Sequence, residues 1–299
     1  MNKPLNVLIL GYGEMGKAME HLIKGRHPIQ IWDKFPQANF KSIKLELAAP
    51  KADVVIFCLP VNPHKQVVQL LKDQLKSDCL CVSIAKGIDE EGKIAAQIFA
   101  EQLPSEQPYA LLYGPMISEE IRKNRYAFAQ VGSNNLDDFQ TIQNAFRGSR
   151  LLLKHSFDLA GISWSVILKN VYAILFGIAD ELNLGDNFRG YLAVNTLKEL
   201  DQIVSDMGGI QGTPYNLAGL GDLMTTATSD DSHHHELGRR LARGETEGIS
   251  GEGVHTLAMV NKYQIFNSSQ YPLFHLMQQI IEKPDDVENK IIRYLQNSF

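Results

Sequence analysis

The chain has 299 residues, 44% of them hydrophobic and 21% charged, with a formal net charge of −5. That length suits two domains, or one large one, around a substantial core, and the composition is ordinary for a soluble globular enzyme. The acidic balance and the lack of a long basic run exclude a general nucleic-acid binder, while Cys58, Cys79 and Cys81, in or beside predicted strands, fit reduced thiols and no disulfide framework.

The amino terminus reads NVLILGYGEMGKAMEHLI, an apolar strand followed by Gly11, Gly13 and Gly16 at the opening of a helix. This is G-x-G-x-x-G in its required setting. Gly11 permits a tight turn, Gly13 lets the backbone approach a pyrophosphate, and Gly16 lets the helix pack on the sheet. Glu14 and Met15 lie in the same loop, where the helix amino terminus offers free N–H groups and partial positive charge to phosphates. The loop leaves no room ahead of it for a signal peptide. A second strand, PIQIWD, ends at Asp33, 20 residues after Gly13, where an acid accepts hydrogen bonds from the ribose hydroxyls. Asp33 repels the additional phosphate of NADP and favours NAD, while Lys34 beside it suits NADP. NAD is therefore the expected cofactor, with NADP as the alternative.

A polar stretch runs to Lys51, and the strand VVIFCLP over 54–60 ends in Pro60 beside the expected dinucleotide cleft. A helix is predicted over 62–76, then the strand LCVSIAKG over 80–87, which carries Lys86 to the cleft, and a helix over 90–102. The strand YALLYGP over 109–115 brings Gly114, and strands over 126–133 and 150–157 flank a helix over 136–146. Apolar strands separated by helices predict an α/β fold, a Rossmann-type doubly wound, mostly parallel sheet covered on both faces. Ligands in such sheets bind at the carboxyl ends of the strands. From Asp158 the pattern changes to long apolar-periodic helices, so the expected domains are 1–157, binding the dinucleotide, and 158–299, all helical.

From Leu159 to Ala179 the chain reads LAGISWSVILKNVYAILFGIA, and Lys169 is its only charged residue. The run has the length of a membrane span, but Lys169 and Asn170 at its middle are expensive in lipid. A core helix is expected. An ammonium buried there is costly unless paired, and its pKa tends to fall, which suits a general acid. The alternatives are a lysine that snorkels to the surface or pairs with a buried carboxylate. Within AGLGDLMTTATS, Asp222 enters an apolar helix, either as an N-cap or as the carboxylate partner of Lys169.

Taken in order, Gly11-Tyr12-Gly13-Glu14-Met15-Gly16, Ala85-Lys86-Gly87-Ile88, Gly114-Pro115, Leu168-Lys169-Asn170-Val171, Gly177-Ile178-Ala179-Asp180, Gly185-Asp186-Asn187, Leu217-Ala218-Gly219-Leu220-Gly221-Asp222-Leu223 and Gly251-Glu252-Gly253-Val254 resemble NAD(P)-dependent glycerol-3-phosphate dehydrogenase. The resemblance spans nearly the whole chain and implies interconversion of dihydroxyacetone phosphate and sn-glycerol 3-phosphate, for the glycerol backbone of phospholipids. It also implies a helical second domain like that of 6-phosphogluconate dehydrogenase. The same resemblance implies a homodimer that takes a small phosphorylated substrate; the reduced thiols suit the cytoplasm, the acidic balance argues against nucleic acid as a partner, and the cost of Lys169 and Asn170 in lipid argues against a membrane. Carried over by position, Lys169 becomes the catalytic acid/base, with Lys86, Asn170 and Asp222 completing the site. Gly114 and Thr226 lie at the substrate. Glu252 lies near the cofactor, as do Pro60 and Lys86.

Three departures stand out. Where the family carries Ser-Arg-Asn-Arg to grip the phosphate, this chain has Ser232-His233-His234-His235. A histidine lacks the planar, permanently charged fork of an arginine. Ser232, His233 and His234 are nonetheless the positional candidates for the phosphate. Met116 replaces a small hydroxyl residue after Gly-Pro, and the stretch from Asp33 to Asp53 is shorter than in the family. No metal is expected, since successive helix residues diverge by about 100° and three adjacent histidines do not converge there. Two other readings remain: a reductase of a small hydroxy or oxo acid on the same architecture, and a catalytically silent sensor of NADH.

Overall fold

The computed structural model describes residues 3–37, 40–229 and 232–298. The chain forms two units, one running to Lys86 and resuming over Lys93–Leu159, the other made of Gly87–Gly92 and the chain from Ala160 onward.

The first unit alternates strands and helices: β1 (Val7–Leu10), α1 (Glu14–Ile23), β2 (Ile29–Trp32), α2 (Leu45–Ala48), β3 (Val54–Phe57), α3 (His64–Leu71), β4 (Leu80–Ser83), α4 (Ala95–Gln102), β5 (Tyr109–Tyr113), α5 (Ser118–Arg122), β6 (Ala127–Ser133), α6 (Leu136–Ala145) and β7 (Leu151–Ser156). Among the described residues these strands form one sheet in the order β2-β1-β3-β4-β5-β6-β7. The order reverses between β1 and β3, which makes the crevice at their carboxyl ends the place for a ligand. Successive side chains point to opposite faces. Val7, Ile9, Val54, Ile56, Val82 and Leu112 pack with Met19 and Ile23 of α1 and Ile142 of α6. Leu8, Leu10, Val55, Phe57 and Cys81 pack with Val68 and Leu71 of α3 and Phe99 of α4 on the other face.

One pair breaks the parallel rule: β5 and β6 are antiparallel, Leu112 facing Val131. Their connection holds only α5, five residues long, which rises about 7.5 Å and cannot return the chain along a strand. Two helices are shorter than the sequence pattern suggests. The helix expected over 62–76 ends at Leu71, and Lys76 beyond it pairs with Asp53 through a short ammonium–carboxylate contact. The helix expected over 90–102 begins at Ala95. Ahead of it Asp89 accepts the Glu91 amide at 2.9 Å, and Gly92 takes a left-handed φ of +81°.

The second unit is helical: α7 (Leu159–Glu181), α8 (Gly185–Asp206), α9 (Asp222–Thr228), α10 (His233–Ala242), α11 (Glu252–Tyr263), α12 (Pro272–Glu282) and α13 (Val287–Ser298). α7 is buried from Gly161 to Ala179. Its apolar window, long enough to cross a membrane, lies wholly inside the protein. Glu199 of α8 ties two neighbours together: it accepts the Tyr172 hydroxyl of α7 at 2.7 Å and the Leu273 and Phe274 amides at the start of α12 at 2.8 and 2.7 Å. Burial raises the pKa of its carboxyl.

α10 meets α7 through two glycines. A Cβ on Gly177 would stand 2.0 Å from the His235 carbonyl oxygen, and one on Gly238 would stand 2.1 Å from that of Ile174. Only backbone against backbone fits there. Gly238→Ala is accordingly expected to cost about 1–3 kcal/mol through overpacking, read as a lower urea midpoint at unchanged slope. An unchanged midpoint would mean that α10 can lift from α7 freely.

Candidate active site

In the first unit the glycine loop follows β1 into α1. Gly11 has φ +90°, and a Cβ on it would lie 2.6 Å from the Cys58 carbonyl oxygen. A Cβ on Gly16 would lie 2.1 Å from the Gly11 carbonyl oxygen, whereas one on Gly13 would meet nothing within 4 Å. Gly11 and Gly16 are thus packing requirements, and Gly13 faces the open space that a pyrophosphate needs. The residues fit a dinucleotide.

Asp33 accepts the Tyr12 amide at 2.7 Å through Oδ2 and the Phe35 amide at 2.7 Å through Oδ1. The acid is locked to the glycine loop. Glu14 pairs with Arg122 of α5 and with Lys17, Met15 packs on the sheet, and Lys34 lies 5.5 Å over the Phe35 ring. Pro60 is exposed just past β3. Lys86, past β4, donates to the Gly114 carbonyl past β5 at 3.3 Å. Gly114 has φ +152°, and a Cβ on it would stand 2.5 Å from the Phe128 carbonyl oxygen. Met116 is buried in the sheet core.

In the second unit Lys169 is 4% exposed and Asp222 3%. Lys169 Nζ lies 3.0 Å from Asp222 Oδ2 and donates to Thr226 Oγ1 at 2.6 Å. The Thr226 hydroxyl donates in turn to the Asp222 backbone carbonyl at 2.7 Å. Of the two readings for Asp222, the ion pair is realised: the N-cap is Gly221, and no side chain caps α9. A π-helical turn, Leu217–Gly221, delivers the acid, packed so tightly that a Cβ on Gly219 would lie 2.1 Å from the Pro214 carbonyl oxygen. Such turns recur at functional sites. Asn170 donates to Glu252 Oε2 at 3.0 Å, and Gly253 lets α11 come this close, since a Cβ there would sit 2.8 Å from the Asn170 carbonyl oxygen.

The histidine segment starts α10. Ser232 is its N-cap and accepts the His235 amide at 3.3 Å. His233 is exposed, His234 half-buried and His235 buried. His235 Nε2 lies 2.7 Å from Asp180 Oδ2, while Arg189 donates to Asp180 Oδ1 at 2.7 Å. The three histidines therefore point to different surroundings, and no metal-binding cluster occurs among the described residues.

Sequence reasoning passed over two groups. The Asp180–His235–Arg189 network brings His235 to an acid 55 residues earlier, and no spacing announces it. His64 is the other. It is fully buried, and its Nδ1 and Nε2 lie 2.9 Å from the Pro60 carbonyl oxygen and 2.9 Å from Ser83 Oγ. Burial lowers its pKa to about 4, with the Pro60 hydrogen bond opposing the shift. The only signal in the sequence was a histidine directly after the Pro60 turn.

A doubly wound sheet with a dinucleotide loop, followed by a helical unit with a lysine–carboxylate pair in its core, has the parts of a nicotinamide-dependent oxidoreductase. Residues 33–138 match the N-terminal part and residues 158–291 the C-terminal part of the family described as NAD-dependent glycerol-3-phosphate dehydrogenase. The glycerol-3-phosphate dehydrogenase (NAD(P)+) of Synechococcus sp. is 30% identical over 290 residues, which cover 93% of this chain and 91% of that one. The enzyme of the same name from Fusobacterium nucleatum is 30% identical over 268 residues, covering 81% and 80%. In fold, glycerol-3-phosphate dehydrogenase from Coxiella burnetii superposes with a TM-score of 0.83 at 23% identity, covering 98% of this chain and 99% of that one. The chain belongs to the NAD-dependent glycerol-3-phosphate dehydrogenase family.

Two stability measurements follow from this geometry. Asp222→Ala leaves an ammonium buried alone and is expected to cost about 3–5 kcal/mol, while Lys169→Met with Asp222→Leu recovers most of that loss in the same urea titration. A single substitution costing under about 1 kcal/mol would mean that Lys169 finds water. His64 is depressed from the ordinary 6.5 to about 4, so between those values the unfolded chain holds the proton and the folded one does not. Its contribution of about 3 kcal/mol is full above pH 6.5 and is lost as pH falls toward 4. His64→Phe is expected to flatten that part of the stability–pH curve, and a curve of unchanged slope would contradict the assignment.

Proposed function

We propose that the protein interconverts dihydroxyacetone phosphate and sn-glycerol 3-phosphate, with NAD as the preferred cofactor. The observation that carries this reading is the buried ion pair of Lys169 with Asp222, 3.0 Å apart, at the positions where the family resemblance puts the acid/base. The first unit, about residues 1–157, is assigned to the dinucleotide, and the helical second, about 158–299, to the substrate.

When bound, the nicotinamide supplies a hydride to the carbonyl carbon. Negative charge then gathers on the carbonyl oxygen, and the Lys169 ammonium stabilises it and delivers the proton from Nζ. Asp222 pairs with the Lys169 ammonium, and Thr226 fixes its direction; in the reverse reaction the lysine takes the hydroxyl proton. Lys86, steadied by the Gly114 carbonyl, orients the substrate, and Asn170, held by Glu252, completes the set. Asp33, fixed by two amides, favours the ribose hydroxyls of NAD over the phosphate of NADP. The phosphate end of the substrate is assigned to the start of α10, where Ser232, His233 and His234 stand with the helix amino terminus. As part of the same reading the protein works in the cytoplasm as a homodimer, with apolar Val194, Ile210 and Ile292 exposed on the helical unit, and takes neither nucleic acid nor membrane as partner.

The test is NADH oxidation with dihydroxyacetone phosphate, repeated with unphosphorylated dihydroxyacetone and with NADPH. Saturable turnover is expected with the phosphorylated ketone and NADH. Lys169→Ala should lower kcat by about 10²–10⁴ while NADH still binds, and His233→Arg should lower the KM for the ketone by restoring a guanidinium fork. NADH binding with no turnover would move the substrate to another carbonyl compound, such as a small oxo acid. Equal rates with and without the phosphate would remove α10 from substrate recognition.

A further inference from the structure

We propose that His64 is a positioning residue that sets the Pro60 turn and the Lys86 loop against each other, so that the strand ends serving cofactor and substrate keep one arrangement. The inference rests on the proposed function for the parts played by Pro60 and Lys86. The hydrogen bonds do not depend on it.

His64 opens α3 inside an aromatic cluster, its ring centroid 5.1 Å from that of Phe57 and 5.8 Å from that of Phe99. A phenylalanine would fill that space without giving up the hydration of an imidazole. What the histidine adds is direction. The Pro60 carbonyl can only accept, so Nδ1 carries the proton and donates at 2.9 Å. Burial keeps the ring neutral, which leaves Nε2 as an acceptor, and the Ser83 hydroxyl donates to it across 2.9 Å. The Ser83 oxygen accepts in turn from the Ala85 amide at 3.1 Å.

The result is a one-way chain of donors: Ala85 N–H to Ser83, Ser83 O–H to His64, His64 N–H to Pro60. Hydrogen bonds aligned in this manner polarise and strengthen one another in a dry interior. Its two ends matter. Pro60 lies just past β3, beside the reversal of strand order where the dinucleotide belongs. Ala85 immediately precedes Lys86, whose ammonium reaches the Gly114 carbonyl at 3.3 Å. A catalytic group displaced by about 1 Å loses on the order of a hundredfold in rate, so a tether at the root of the Lys86 loop bears directly on turnover.

Four variants separate the two arms. In His64→Asn the amide nitrogen stands near the place of Nδ1, keeping the Pro60 arm and losing Ser83. In His64→Gln the amide reaches the depth of Nε2, keeping Ser83 and losing Pro60. Ser83→Ala cuts the Lys86 arm alone, and His64→Phe cuts both while preserving the packing. Dissociation constants for NADH come from fluorescence titration, kcat/KM for dihydroxyacetone phosphate from steady-state rates at saturating NADH, and Tm from melting at pH 7.5.

His64→Asn and Ser83→Ala are expected to bind NADH within about twofold of the native protein and to lose about tenfold in kcat/KM. His64→Gln should show the reverse, NADH bound about tenfold more weakly with kcat/KM largely kept. His64→Phe should lose both beyond what its folded fraction accounts for, although the unpaired Ser83 hydroxyl and Pro60 carbonyl also lower Tm. Equal effects of His64→Asn and His64→Gln, or losses that track only the folded fraction with Kd and KM unmoved, would overturn the proposal and leave His64 a packing residue. If the native protein oxidises no NADH with this ketone, the proposed function fails and the titrations decide alone. Weaker NADH binding in His64→Gln but not in His64→Asn sustains the positioning role, and equal binding overturns it.

Discussion

An ammonium held inside a helix bundle constrains everything around it. Lys169 sits in the middle of α7, which is buried from Gly161 to Ala179, so the chain must bring a carboxylate to it or leave a charge stranded in a medium of low polarity. The carboxylate comes from Asp222, 53 residues later. It arrives on a π-helical turn that closes over Pro214 only because residue 219 lacks a side chain. Thr226, one turn further along α9, does two jobs: it accepts from the ammonium and donates to the backbone of Asp222. The residues from Pro214 to Thr226 can therefore be understood as one device for presenting an acid and a hydroxyl to a lysine. A lysine so paired is held in one direction by a carboxylate at 3.0 Å and a hydroxyl at 2.6 Å.

The same helix explains where the glycines of the second unit fall. Gly177 and Gly238 let α10 approach α7 backbone to backbone, and Gly253 lets α11 do so at Asn170. Each close approach places a polar side chain that a wider spacing would withdraw: His235 against Asp180 in one case, Glu252 against Asn170 in the other. Packing and chemistry are joined here, since the residues removed for space are neighbours of the residues retained for hydrogen bonding. The sheet of the first unit repeats the pattern, with Gly11 and Gly16 closing the turn and Gly13 left facing open space.

Features governed by local rules were legible in the amino-acid order. Continuous apolar runs between helices marked the strands, three glycines with an acid after the next strand marked the dinucleotide loop, and a lone lysine in an apolar helix demanded a partner. The Lys169–Asp222 pair could be read as one of two alternatives because an uncompensated buried charge is so unfavourable. Features set by tertiary geometry were not legible. The antiparallel turn of β6 depends on how short α5 is, and a five-residue helix has no strong period. No period marked the early end of α3 or the late start of α4; past α3 Lys76 pairs with Asp53, 23 residues earlier, and ahead of α4 Asp89 holds the Glu91 amide. His64 also meets Ser83, 19 residues on, and Asp180 meets His235, 55 residues on, and an isolated polar residue gives no hint of such a partner.

The histidine segment shows how one substitution pattern redistributes charge. In a Ser-Arg-Asn-Arg segment the guanidinium groups carry fixed positive charge whatever surrounds them. Here the fourth position, His235, turns inward to share Asp180 with Arg189, each nitrogen taking one carboxylate oxygen at 2.7 Å. The carboxylate is satisfied on both sides, and α10 is anchored by that contact and by the Gly177–Gly238 crossing. What remains at the helix start is the Ser232 cap, an exposed His233 and a half-buried His234. Among the described residues, an anion arriving there meets the helix amino terminus, with its N–H groups and partial positive charge. The anchoring of α10 to α7 fixes the direction in which those N–H groups point.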